Sequence, residues 1–385
     1  RDLHYPLRRQ RQMCIRDRNR ASLLKPLGHV QSVVERRNTI PILSNVLLNG
    51  SNGRLSLTAT DMDMDIIETV DCNVLREGTV TIPAHTLYDI VRKLPDGCDI
   101  SIESDNEGRF ISVEAGRSNF TLPVLPADEF PTMSGNELSC SFNMPAADVR
   151  ALIDRTRFAI SSEETRYYLN GIYIHSTESN GAQVLRAVAT DGHRLARVEM
   201  PLPEGADQMP SVIVPRKAVV EIRKLIEDNE SDVSISLSES KLCCKIGDTV
   251  LTTKLIDGTF PDYERVIPTG NDKLMNVNCR ELAEVVDRVA TISTEKSRSV
   301  KLQLKTRMLV LSANSPESGT AREELEVQYD SEDLEIGFNS RYLLDITNQI
   351  EGENIEFSLA DPGSPTIVRD QDDNTSLYVL MPMRV

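Results

Sequence analysis

The chain has 385 residues, of which 43 are basic and 59 acidic, for a formal charge of −16; 39% are apolar. That composition excludes a disordered chain and a protein that holds nucleic acid by bulk charge, and the length suggests two to three domains. Seven scattered cysteines without CxxC spacing argue against structural zinc and a disulfide framework.

The first segment, RDLHYPLRRQRQMCIRDRNR, carries seven Arg against Asp2 and Asp17. Subtracting that +5 from −16 leaves −21 on the rest of the chain. No apolar h-region follows, so it is not a secretory signal. Residues 1–19 are expected to be a basic extension, disordered or foreign to the domain behind it; an arginine-rich arm for nucleic acid is the other reading. No run reaches the ~18 apolar residues of a membrane helix, and a reduced, cytoplasmic setting without membrane partners is expected.

From there the chain reads as one unit written three times. The first copy opens with a helix at SLLKPLGHV (22–30), and its strand LSLTATDMDMDI turns at Thr60-Asp61. A strand VTIP (80–83) then leads into the helix PAHTLYDIVRKL (83–94). The second copy repeats the order: helix DVRALIDRTRFAI (148–160), turn at Thr190-Asp191, strand SVIVP (211–215), helix PRKAVVEIRKLI (215–226). The third gives helix RELAEVVDRVATI (280–292), turn at Ala313-Asn314, strand LEIGF (334–338), helix NSRYLLDITNQI (339–350).

Leu87, Ile90 and Leu94 align with Val219, Ile222 and Ile226, and with Leu343, Ile346 and Ile350; each trio marks one helix face. An acidic residue recurs at one position, as Asp89, Glu221 and Asp345, and Phe130-Pro131 recurs as Phe260-Pro261. In the third early helix, Leu282, Val285, Val286 and Val289 form the expected buried stripe. Offsets of 132 and 124 residues are far too long for a solenoid, so three domains are expected, each an α+β unit of two helices on antiparallel sheet. Their boundaries are placed at 20–138, 139–270 and 271–385.

Several composite runs then carry a resemblance: IPILSNVLL (40–48), RYYLNG (166–171), ATDGHRLA (189–196), VIVPRK (212–217), DGTFPDYERVIP (257–268), TEKSRS (294–299) and the terminal YVLMPMRV (378–385). Together they resemble the bacterial sliding clamp family, the beta subunit of DNA polymerase III, from about Arg20 to the end. The resemblance implies a head-to-tail homodimer closing a ring of six domains around duplex DNA, helices lining the hole. It implies a processivity factor, not an enzyme; polymerase activity belongs to the holoenzyme. No cofactor or metal is implied. The implied partners are double-stranded DNA without sequence preference, the polymerase III catalytic subunit, the clamp loader, and other polymerases and repair proteins bearing short peptide motifs.

The family's DNA contacts fall on Arg37, Tyr167 and Tyr168. His85 and Glu163 stand where other members have Arg and Gln. The peptide pocket falls on Arg166, Leu169, Thr190, Gly192, His193, Arg194, Leu195, Pro261 and Val266 of the second copy, and on Asn339, Tyr342, Val379, Met381, Pro382, Met383 and Arg384 of the third. His193, Arg194 and Asn339 are expected to fix a peptide backbone or amide, while Leu, Val, Pro and Met supply an adaptable apolar surface. Phe120, Leu122 and Ile292 match the dimer interface. The helix cations, among them Lys25, Arg36, Arg150, Arg155, Arg157, Arg216 and Lys217, form a sequence-blind phosphate surface as a set.

Two rivals remain. Asp191, His193 and Arg194 could be an acid–base cluster, although no nucleophile elbow, P-loop, HExxH or GxGxxG accompanies them. A monomeric peptide-binding scaffold would have the pocket without the ring.

Overall fold

The computed structural model describes residues 13–17, 19–105, 108–133, 138–227, 231–293 and 298–384. Six α-helices lie where the periodicity places them: α1 (Arg20–Val33), α2 (Ala84–Lys93), α3 (Ala146–Arg157), α4 (Arg216–Glu227), α5 (Cys279–Ala290) and α6 (Ser340–Thr347). Local chemistry starts three of them. The Asn19 side chain accepts from the Ala21 N–H, that of Asn278 from Glu281, and that of Asn339 from Arg341. In α5 the stripe of Leu282, Val285, Val286 and Val289 is buried as expected. α3 stops at Arg157, earlier than the pattern suggested, and the guanidinium of Arg194 takes the carbonyl of Phe158 just beyond it.

The strand pairings are antiparallel, and the contacts divide the chain into two compact units. Arg1–Ala146 with Val220–Lys254 forms one; Ala147–Val219 with Leu255–Val385 forms the other. The units do not coincide with the copies, because sheets run on from one copy into the next. In the first unit an eight-stranded sheet is closed in its middle by Thr249–Lys254 of the second copy against Met64–Asp71 of the first, with Leu251 opposite Ile66. In the second unit a nine-stranded sheet is joined by Ser376–Leu380 of the third copy against Arg194–Pro201 of the second, with Val379 opposite Leu195. Each join removes two exposed strand edges.

The two smaller sheets keep an open edge. Ser118–Pro123 is one outer strand of the five-stranded sheet, opposite Asn73–Arg76, and Gly319–Glu326 one of the four-stranded sheet, opposite Leu334–Asn339.

The extension expected over 1–19 needs correction. Cys14–Asp17 is a strand between Asn73–Arg76 and Ile100–Ser104. Met13 is 0% and Ile15 1% exposed. The two apolar residues two apart carry the strand into the core, against which the flanking arginines gave a misleading polar signal. Residues 1–12 and 18 lie outside the described residues, as do 294–297 of the TEKSRS run. No described helix is long and apolar enough to cross a membrane.

Candidate functional site

The repeated Thr-Asp is turn chemistry. The Thr190 hydroxyl donates to the Arg194 carbonyl and accepts the Gly192 N–H, while Asp191 Oδ1 accepts the N–H groups of His193 and Arg194. Thr60 and Asp61 make the same four bonds around Met62, Asp63 and Met64. Asp191 is thereby committed to the backbone and to Arg194, which removes the basis for an acid–base cluster. Gly192 has φ +87°, and a Cβ there would lie 2.6 Å from Arg166 Nη1. Met62 holds the same left-handed position with φ +76°, so the turn favours glycine without demanding it, and a side chain at Gly192 would displace the Arg166 guanidinium.

This turn forms one wall of an apolar cavity of about 360 Å³. Its lining includes Arg166, Leu169, Thr190, Gly192, Arg194, Leu195, Pro261, Val266, Val379 and Met381 of the expected pocket. Leu169, Leu195 and Val379 are 4%, 2% and 1% exposed and belong to the core beneath it; Val266, 44% exposed, stands at the rim. Tyr168 and Tyr263 also line the cavity; sequence reasoning left both out of the pocket. Spacing could not reveal Tyr263, because its place depends on distant partners: its hydroxyl meets Arg186 at 2.7 Å and His175 at 2.9 Å. Arg186 is buried against Glu199 at 2.8 Å and Glu264 at 2.6 Å. Tyr173 stacks on Phe260 at 4.8 Å and on His175 at 4.7 Å, which braces the floor. Burial pushes the Tyr263 phenol up and the His175 imidazole down from their ordinary values.

His193, Asn339 and Tyr342 line a second, polar cavity of about 390 Å³, with Arg194 as the shared wall. Arg194 is 8% exposed. Its guanidinium donates to Asp191 at 3.1 Å, to Asp345 at 2.5 Å and to the Phe158 carbonyl, and lies 4.2 Å from the Tyr342 ring centre. Arg194 is thus a wall of the expected pocket held in place by its own chain. Asn339 spends its carboxamide oxygen on capping α6 and keeps its NH₂ group. The tail divides too. Ser376–Leu380 is fully buried strand; Met381 donates to the His193 carbonyl at 2.9 Å and Met383 to that of Gly337 at 2.8 Å. Pro382, Met383 and Arg384 line a third hollow beside Lys301 and Glu335.

The expected DNA residues are scattered. Arg37 is exposed beyond α1. Tyr167 is 53% exposed, whereas Tyr168, in edge contact with it at 5.8 Å, packs on the core. Glu163 pairs with Arg166 at 2.7 Å on the rim of the groove, which holds its carboxyl below the ordinary range. His85 bonds Gln31 at 2.8 Å and the Val34 carbonyl at 3.0 Å, so it ties α2 to the end of α1. Phe120 and Leu122 are half-buried on the open edge strand Ser118–Pro123, and Ile292 is half-buried just past α5. Among the described residues no His, Cys, Asp and Glu cluster could hold a metal, and all seven cysteines are free. Burial pushes the Cys244 thiol up to about 12 and that of Cys279 to about 11, so both are inert.

Three family models match in order: the DNA polymerase III beta subunit N-terminal domain over residues 14–134, its central domain over 143–262 and its C-terminal domain over 264–384. The chain is 55% identical over 366 residues to the beta sliding clamp of Caulobacter vibrioides, covering 95% of this chain and 98% of that one. It is 39% identical over 367 residues to that of Escherichia coli, with the same coverage. A crystal structure of the Caulobacter crescentus clamp, with polyethylene glycol at a candidate beta-motif tethering region, superposes with a TM-score of 0.96 at 54% identity, covering 98% of this chain and all of that one. A Bartonella birtlesii clamp bound to griselimycin gives 0.94 at 49%, covering 97% and 100%. With three matching domains in order and turn and sheet joins that repeat between copies, the chain belongs to the DNA polymerase III beta subunit family, the beta sliding clamps, which are non-catalytic processivity subunits of the polymerase holoenzyme.

Proposed function

We propose that two copies of this chain close head to tail around duplex DNA in the cytoplasm. The ring holds the polymerase III catalytic subunit, the clamp loader, and other polymerases and repair proteins by short peptides in the apolar groove. The carrying observation is the strand pairing. The last strand of the second copy pairs with the fourth strand of the first, and the last strand of the third copy with the fourth strand of the second. Applied once more, the rule leaves two unmatched partners: Ser118–Pro123, the last strand of the first copy, and Gly319–Glu326, the fourth strand of the third. They lie on different sheets of one chain, so the contact is heterologous and two copies pair both of these edges by closing a ring. Phe120, Leu122 and Ile292 then belong to the join.

The domain limits proposed are 20–138, 139–270 and 271–385, with the first moved back to take in Cys14–Asp17. Arg37 and Tyr167 are exposed and suited to the duplex, with Tyr168 behind; His85 and Glu163 are assigned to internal contacts instead. The test is retention. Loaded on a closed circle, the protein should survive gel filtration and leave when one cut linearises the DNA. Equal loss from circles and linear DNA would overturn the ring; a monomeric mass near 43.0 kDa would favour the peptide scaffold.

A further inference from the structure

The polar cavity beside the groove holds more positive charge than its own carboxylates need. Four arginines reach it from separate segments: Arg157 ends α3, Arg216 begins α4, Arg298 precedes the strand Ser299–Lys305, and Arg341 opens α6. The three carboxylates in the lining are already paired: Glu163 with Arg166, and Asp191 and Asp345 with the buried Arg194, a fifth arginine of the lining. Arg157 pairs outward with Asp154 at 3.1 Å, and Arg341 reaches Asp345 only at 3.9 Å. Arg157, Arg216 and Arg341 are exposed. On a chain of net charge −16, these four arginines around a hollow of about 390 Å³, beyond the buried Arg194, are a local reversal of sign.

We infer that this cavity receives an acidic side chain of the partner peptide whose apolar residues fill the neighbouring groove. The inference rests on the peptide reading of that groove. Arg194 is a wall of both cavities, so an extended peptide leaving the apolar one meets the arginines within a few residues. Planar guanidinium forks match a carboxylate in two-point geometry. Duplex DNA fits less well, since a concave site with four arginines would grip one phosphate, and a sliding ring needs shallow contacts that slip from one phosphate to the next. Such a subsite would make partner choice depend on the residues flanking the hydrophobic motif, and on salt.

The test uses the full chain and fluorescent Gln-Leu-Ser-Leu-Phe peptides carrying two Glu, or two Gln as controls, at either end. One of the two acidic peptides should bind about tenfold tighter than its Gln control at low salt, and most of that gain should vanish at about 0.5 M salt. The double variant Arg216→Gln, Arg341→Gln should lose the gain and bind the neutral peptide as before. Equal affinity of acidic and neutral peptides overturns the inference, as does a gain that persists in the double variant. Displacement of the acidic peptide alone by a short duplex would also overturn it and assign the arginines to DNA. Failure of the neutral peptide itself would instead refute the groove.

Discussion

Met381→Ala and Val379→Ala should separate the wall of the groove from its floor. Both residues line the same cavity of about 360 Å³, two positions apart at the end of the chain. Val379 is 1% exposed and sits in the ladder between Leu195 and Ile367. Cutting it to alanine removes two carbons at ~0.8 kcal/mol each and leaves a small void, so about 2 kcal/mol of stability should go. Met381 is half-buried, and its backbone N–H stays on the His193 carbonyl whatever its side chain. In the free protein its truncation should cost about 1 kcal/mol or less, since solvent already reaches it. With a peptide in place the thioether is covered, and losing that contact should weaken binding by roughly 1–2 kcal/mol, about five- to thirtyfold. Melting temperature and anisotropy of a labelled Gln-Leu-Ser-Leu-Phe peptide, read on one preparation of each variant, check both halves. If Met381→Ala drops the melting temperature sharply and leaves affinity unchanged, Met381 is core and the assignment of the wall is wrong.

Gly192→Ala should lose about 1–2 kcal/mol from its left-handed backbone alone and push Arg166 off Glu163, so peptide affinity should fall with stability; a variant with wild-type affinity would show that Arg166 does not shape the groove. If the join keeps the register of the two intrachain ones, where Thr252 faces Asp65 and Val379 faces Leu195, position 121 of one copy should face position 321 of another, and the pair Thr121→Cys, Ala321→Cys should give covalent dimers on mild oxidation; monomers throughout would argue against the edge pairing. Deleting residues 1–12 should leave the melting temperature unchanged, whereas deletion through Asp17 removes buried Met13 and Ile15 and should cost more than about 3 kcal/mol. Because burial lowers His175, the unfolded chain takes up that proton first. The stability it lends is whole above the ordinary imidazole value of ~6.5 and falls as the pH drops below it, so His175→Gln should flatten the melting-temperature slope between about pH 7 and 5.5; an unchanged slope would place the titration elsewhere.

What the sequence determined by itself was everything set within a few residues. The helix faces and the turn after each second long strand are local, and a threefold repeat shows the faces three times and the Thr-Asp form of the turn twice, so the copies and the family were legible from pattern alone. The open edges of Ser118–Pro123 and Gly319–Glu326 were not, because which strand lacks a neighbour depends on chain segments more than a hundred residues away. The recurrent acid shows the difference most plainly. Asp89 pairs with Arg92 on its own helix, Glu221 is buried against the Ser32 hydroxyl, and Asp345 locks Arg194 between the two cavities. One helical position has three uses, since a carboxylate's role is set by whichever cation or donor the tertiary packing brings within about 3 Å. For the same reason the sequence could not show that Arg194 is held by Asp191 and Asp345, and the four arginines beside it, spread over 185 residues from Arg157 to Arg341, gave no local sign that they line one cavity.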